Sequence, residues 1–193
     1  MAKGILPEII IRKNSETIIP KSIGRAKEKM IKTENIELIN GNLLDFPNGI
    51  NRIAHSCNTH NIMGAGIAKQ IKYRYPHSYA SDCDAMMQGE NFLGNWSFAW
   101  TDSTLEKGIY NMYTQEKLGG NRAVNYEAFY NSLEFVAKNL EYHYLHDDGD
   151  IIFGLPYGIS CGLAGGSPRI INTMIHDILV DMPFKTYIVK YNE

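Results

Sequence analysis

The chain has 193 residues, of which 44% are hydrophobic, and its formal net charge is -2. This length, together with the absence of a low-complexity tract, allows one α/β domain with a sizeable core. No apolar run approaches the ~18 residues that cross a bilayer, and the run at 9–11 is too short for a signal peptide. We therefore expect a soluble, cytoplasmic protein, and its odd number of cysteines, 3, argues against a disulfide framework.

The charge is unevenly distributed along the chain. Residues 1–34 contain eight Lys and Arg against four Glu, which leaves eleven basic and seventeen acidic residues, a net of -6, in the remainder. An acidic domain is a poor groove for nucleic acid, whose phosphates are held mainly by Lys and Arg. We predict an N-terminal extension at 1–34 and one domain at 35–193, with neither a membrane nor a nucleic acid as partner.

Hydrophobic periodicity predicts the elements in chain order. The extension has apolar runs at 9–11 and 18–19 and a helical pattern at 21–31, which fit either an added strand and helix or a flexible arm. Beyond it, strands and helices alternate in the manner of a mainly parallel sheet that helices cover on both faces. The strands are predicted at 36–39, 52–57, 96–101, 108–113, 150–155 and 184–190, and the helices at 64–75, 76–87, 126–145 and 168–182.

Two glycine-rich loops follow predicted strands. The first glycine loop, residues 63–66, reads Met-Gly-Ala-Gly and opens a helix, so the first amides of that helix have almost no side chain to shield them and suit an anion. The second glycine loop, residues 157–166, also joins a hydrophobic strand to a helix. Ligands of open α/β sheets bind at the carboxyl ends of strands, where both loops emerge, so the two loops are predicted to face one diphosphate.

Three motifs carry a family resemblance. His55-Ser56-Cys57-Asn58, the run 63–68 and the run 155–166 together resemble a macrodomain, with Gly41-Asn42-Leu43 as the opening motif. They are most similar to the branch of ADP-ribose-1''-phosphate phosphatases and related small macro proteins of bacteria and phages. The resemblance covers roughly residues 35–191 and implies a three-layer α/β fold whose mixed, mainly parallel central sheet is flanked by helices.

The resemblance also implies roles for individual residues. His55 is the predicted catalytic residue, because a histidine near its ordinary pKa of ~6.5 exchanges protons at cellular pH. Asn42 stands where macrodomains usually place an adenine-binding aspartate, Asn58 matches the asparagine of the distal ribose, and Tyr191, with Tyr187 as the alternative, matches the adenine-stacking aromatic. The predicted ligand contacts are Asn42, Leu43, Asn58, Gly64, Ala65, Gly66, Ile67, Ser160, Cys161, Gly162, Leu163, Ala164, Gly165 and Tyr191.

Other readings of these motifs are disfavoured by single residues. A P-loop needs a lysine before Ser167, a dinucleotide fingerprint needs glycine where Lys69 stands, and a cysteine-phosphatase loop at Cys161 needs an arginine at position 167. A zinc cluster of His55, Cys57, His60 and Cys161 is a further alternative that we do not favour. No metal or cofactor is expected.

The predicted function is hydrolysis of the terminal phosphate of ADP-ribose-1''-phosphate, by a phosphoric monoester hydrolase. The alternatives are a non-catalytic ADP-ribose-binding module and a hydrolase that removes ADP-ribosyl groups from macromolecules. The glycohydrolase-like relatives use a lysine and an aspartate, and Gln115 and Ala164 align with these, although Lys117 lies near enough to substitute. Residues 119–125 are either a lid over the ligand or an ordinary surface loop.

Overall fold

The computed structural model describes residues 35–116, 123–146 and 150–191. The predicted N-terminal extension, Lys117 and most of the predicted lid lie outside these residues. Among the described helices, none is long and apolar enough to span a membrane.

In the described residues a six-stranded sheet, in the order β1-β6-β5-β2-β4-β3, forms the centre of the fold. Every neighbouring pair is parallel except β3 and β4, which are antiparallel. The prediction of a mixed, mainly parallel sheet is thus confirmed, and each predicted strand is present within two residues of its predicted bounds. The strands are β1 (Ile36–Asn40), β2 (Arg52–Asn58), β3 (Trp96–Trp100), β4 (Gly108–Gln115), β5 (Ile152–Pro156) and β6 (Lys185–Lys190).

Helices cover the sheet on both faces, because its buried strands present apolar side chains to each side. Leu133 and Ile171 of two helices pack with Ala54, Tyr110 and Phe153 in the largest core cluster. The opposite face is covered by the other two helices and by short 3-10 turns at Leu43–Asp45 and Pro47–Gly49. The helices are α1 (Gly66–Arg74), α2 (Pro76–Gln88), α3 (Tyr126–His146) and α4 (Pro168–Leu179), with α3 and α4 on the first face and α1 and α2 on the second.

Helix α1 begins two residues later than predicted. Ala65 is extended and Gly66 has a φ of +56°, so regular helix geometry starts only after the first glycine loop. A left-handed residue costs glycine little, whereas a side chain there would be strained. The offset leaves the loop open at the carboxyl edge of the sheet.

Candidate functional site

A cleft of about 450 Å³ lies at the carboxyl ends of β2, β4 and β5, between the two glycine loops. We call it the loop cleft, and its volume falls in the usual range of small-molecule sites. The structure brings nine of the predicted contact residues together in its lining. These nine are Asn58, Gly64, Ala65, Gly66, Ile67, Ser160, Gly162, Leu163 and Ala164.

Asn58 shapes the first wall of the cleft. Its side-chain oxygen accepts hydrogen bonds from the amides of His60 and Ile62, at 3.0 and 3.2 Å, and its amide group donates to the carbonyl of Ile62 at 2.8 Å. These bonds tie the end of β2 to the chain that leads into the first glycine loop. Asn58 therefore lines the cleft while most of its hydrogen-bonding capacity serves the loop.

The N-terminus of α1 supplies donors to the cleft. Its N-cap residue, Ala65, provides no side-chain cap, and the first amide to find a helical acceptor is that of Lys69, which donates to Ala65. The amides of the residues between Ala65 and Lys69 have no acceptor within the helix and point out of its N-terminus, where the helix dipole places a partial positive charge. They are suited to hold an anion.

The second glycine loop forms the facing wall. Ser160 takes a φ of +59°, and its carbonyl accepts from the amide of Gly166 at 2.9 Å. Its hydroxyl lies 2.5 Å from that of Ser56 on β2, so one side-chain hydrogen bond links this loop to the sheet. Among the described residues no acceptor is found for the amides of Leu163 and Ala164, which line the cleft.

His55 lies in the protein interior and does not line the loop cleft. Its side chain is fully buried on the α2 face of β2, where Nε2 is 2.7 Å from Oδ1 of Asn111. Burial lowers its pKa to about 4, against a smaller opposing effect of the hydrogen bond to Asn111, so the ring is neutral at neutral pH. In this position His55 does not make the contact with a ligand in the cleft that the predicted proton transfer requires.

Five other predicted contacts also fall outside the lining. The Asn42 side chain accepts from the amide of Leu44 at 3.1 Å as a helix cap, and Leu43 is buried in the core. Cys161 packs against the main core cluster, and Gly165 is half-buried in the second glycine loop without lining the cleft. Tyr191 follows β6 and is 63% exposed, beyond the rim of the cleft.

Asp82 is the functional candidate that sequence reasoning missed. It lies on α2, lines the cleft, and is only 1% exposed. Burial raises the pKa of its carboxyl group to about 6, a shift that the nearby Tyr113 hydroxyl reduces. Its sequence signal was weak, because a single aspartate in a helical pattern is normally a solvated residue.

Gln115 and Ala164, the positions aligned with the glycohydrolase lysine and aspartate, both line the cleft. Gln115 pairs with Asn58 across β2 and β4, which places it beside the first wall. Lys117, the possible substitute, lies outside the described residues. Among the residues that the structure describes, no three His, Cys, Asp or Glu side chains are grouped closely enough to hold a metal ion.

A second cavity, of about 500 Å³, lies at the opposite, amino-terminal edge of the sheet. Arg52, Lys107, Glu106 and Asp150 line it, so charges of both signs surround it. It has neither of the glycine-rich loops, and we place the functional site in the loop cleft.

Comparisons with known proteins identify the fold. No protein-family model matches the chain, and no curated protein matches it in sequence. Among solved structures, the macrodomain of Mycobacterium tuberculosis DarG aligns with a TM-score of 0.68 at 18% identity, over 82% of this chain and 98% of that one. A macrodomain protein from Streptomyces coelicolor aligns with a TM-score of 0.62 at 24% identity, over 82% of this chain and 99% of that one.

Thermosipho africanus DarTG, solved in complex with ADP-ribose, aligns with a TM-score of 0.67 at 18% identity, over 84% of this chain and 43% of that one. Identities this low establish a shared architecture only. The order of strands, the helices on both faces and these alignments together show that the chain has the three-layer α/β fold of macrodomains.

Proposed function

We propose that this protein binds ADP-ribose in the loop cleft. The observation that carries the proposal is the pair of amide-lined walls, the N-terminus of α1 and the second glycine loop, which face each other across a space of about 450 Å³. A diphosphate placed between them receives main-chain hydrogen bonds from both sides. No Lys or Arg of the described residues lines the cleft, so main-chain amides are its main source of positive potential.

The structural relatives support the same ligand. The DarTG structure from Thermosipho africanus contains ADP-ribose, and so does that of an Oceanobacillus iheyensis macrodomain variant, which aligns with a TM-score of 0.61 at 15% identity. The transfer of that ligand to this chain rests on the cleft described above.

For turnover, the proposed reaction is hydrolysis of the terminal phosphate of ADP-ribose-1''-phosphate, which the sequence resemblance implies. The cleft gives no support to removal of ADP-ribose from glutamate side chains by the lysine and aspartate route, because Gln115 and Ala164 offer neither a nucleophile nor a proton carrier. A protein that binds ADP-ribose but releases no phosphate from this substrate is a non-catalytic binding module.

Titration calorimetry with ADP-ribose, without added metal, tests the binding proposal. We expect saturable binding to the parent protein and a loss of at least about tenfold in affinity for Gly66→Leu, because the leucine projects from the anion-binding end of α1. Gly89→Leu is the matched control, since Gly89 also has a positive φ, +71°, and open space around it, but lies at the far end of α2. No binding by the folded parent at millimolar ligand contradicts the proposal.

A further inference from the structure

Asp82 combines near-complete burial with unused hydrogen-bonding capacity. Neither of its carboxylate oxygens makes a hydrogen bond of good geometry with a described residue, although the Tyr113 hydroxyl is near enough to lower its pKa and the side chain lines the loop cleft. Leaving a buried polar group unpaired costs free energy, and more so when the group is charged. The site is therefore incomplete at this carboxylate.

The neighbours of Asp82 do not complete it. The Tyr113 hydroxyl lies 2.9 Å from the hydroxyl of Ser97, to which it donates, and Cys57 approaches the ring of His55 at 3.5 Å. Burial, with the charge of Asp82 as a secondary cause, raises the pKa of the Cys57 thiol, and the Tyr113 pKa is raised for the same main reason. None of these groups brings a positive charge to the carboxylate.

The buried polar groups one turn earlier are, by contrast, satisfied. The Ser78 hydroxyl donates to Asn111 at 2.8 Å, and the amide group of Asn111 donates to the carbonyl of Ser78 and to Ser97. His55 joins the same network through Asn111. Asp82 differs from Ser78, Asn111 and His55 in that it lines the cleft.

We propose that the carboxylate of Asp82 recognises the ligand, by accepting hydrogen bonds from hydroxyl groups of its terminal sugar. A carboxylate offers only acceptors, and a vicinal diol offers two donors in one plane, so the two are complementary. The inference rests on the proposed binding of ADP-ribose. In it, Asp82 makes the cleft specific for the end of ADP-ribose that does not carry adenosine.

The order of strands indicates which end of the ligand meets Asp82. The carboxylate lies by Cys57 and Tyr113, on β2 and β4, whereas the exposed ring of Tyr157, which lines the cleft, follows β5 on the other side. Exposed aromatic rings suit a nucleobase, and a buried carboxylate suits hydroxyl groups. With the diphosphate between the glycine loops, the terminal ribose extends toward Asp82.

Calorimetric titration with ADP-ribose and with ADP, which lacks the terminal ribose, tests the assignment. We expect Asp82→Asn to weaken ADP-ribose binding by at least about tenfold, because a charge-assisted bond is lost, and to change ADP binding by less than about twofold. Asp84→Asn is the matched control, as Asp84 lies on the same helix but is exposed. It should leave both affinities unchanged.

The parent protein gives a second measurement that needs no variant. It should bind ADP-ribose at least about tenfold more tightly than ADP, because only ADP-ribose reaches the carboxylate. Equal affinities overturn the inference even if Asp82→Asn fails to fold.

The remaining outcomes separate this inference from the proposed function. Unchanged ADP-ribose affinity in Asp82→Asn, with binding by the parent intact, overturns only the role of Asp82. An equal loss for ADP-ribose and ADP also overturns it, since the side chain then supports the cleft or meets the adenosine end. No binding of either ligand by the parent rejects the proposed function and this inference with it.

Discussion

His55 and Asp82 are two of the buried ionisable side chains between α2 and the sheet, and each departs from its ordinary protonation behaviour. His55 is held neutral in a satisfied network, and Asp82 is an unpaired carboxylate at the cleft. The first is on a central strand, where side chains alternate between faces, and the second is on a helix whose packing turns it inward. Their chemistry therefore follows from burial more than from their types.

Replacement of His55 tests stability and catalysis together. We expect His55→Ala to lower the free energy of unfolding by about 2–4 kcal/mol, because it leaves a cavity and takes a partner from Asn111. Urea denaturation measures this loss.

Phosphate release from ADP-ribose-1''-phosphate, measured per folded molecule, decides the sequence-based prediction that His55 is catalytic. A loss of ~10²–10⁴-fold supports a proton-transfer role. A rate equal to that of the parent removes His55 from the mechanism.

Gln115 and Ala164 lead to a second prediction at the residue scale. We expect little or no release of ADP-ribose from a glutamate-modified protein and no Schiff-base adduct at Lys117 after borohydride reduction, because Gln115 supplies no amine and Ala164 supplies no acid to assist one. Mass spectrometry of the reduced protein and an assay of free ADP-ribose measure both. Rapid release with a trapped adduct would favour the ADP-ribosyl hydrolase alternative.

At the scale of elements, the second glycine loop is held by close backbone packing. A Cβ at Gly166 would stand 2.6 Å from the carbonyl oxygen of Ser160, the same atom that accepts the Gly166 amide. The Ser56–Ser160 hydroxyl pair then joins the loop to β2. The wall of the cleft thus depends on a residue that does not itself line it.

Gly166→Ala is expected to destabilise the protein by about 1–3 kcal/mol and to weaken ADP-ribose binding, because the loop must move to relieve the overlap. Thermal unfolding and calorimetry measure the two effects. Gly162→Ala serves as the stability control, since its Cβ would meet nothing within 4 Å, and its midpoint should match that of the parent. Equal midpoints for the two variants would contradict the packing argument.

At the scale of the whole molecule, His55 and Asp82 affect the pH dependence of folding in opposite directions. Burial lowers the His55 pKa from 6.5 to about 4 and raises the Asp82 pKa from 3.8 to about 6. The free energy of unfolding that is lost through burial of His55 therefore grows as the pH falls from 6.5 to 4. The loss through burial of Asp82 grows as the pH rises from 3.8 to 6. Each loss is at most about 3 kcal/mol, and between pH 4 and pH 6 their opposite pH dependences largely cancel while the two losses add.

Single replacements should expose each contribution. As the pH rises from 4 to 7, Asp82→Asn should become up to about 3 kcal/mol more stable relative to the parent. As the pH falls from 7 to 4, His55→Gln should become more stable relative to the parent by a similar amount. Urea denaturation across this range measures both differences, with Asp84→Asn as the exposed control. Parallel pH curves for the parent and Asp82→Asn would show that Asp82 has an ordinary pKa in the folded protein.

The sequence by itself determined the six strands, the four helices, the mainly parallel sheet and the position of both glycine loops. These follow from local periodicity and from glycine's backbone freedom, which neighbouring residues encode. Only the tertiary structure decided that His55 faces the interior, that Asn42 caps a turn, and that Asp82 borders the cleft. The physical reason is that a side chain's surroundings depend on which helix packs over its face of the sheet, and residues distant in the chain set that packing.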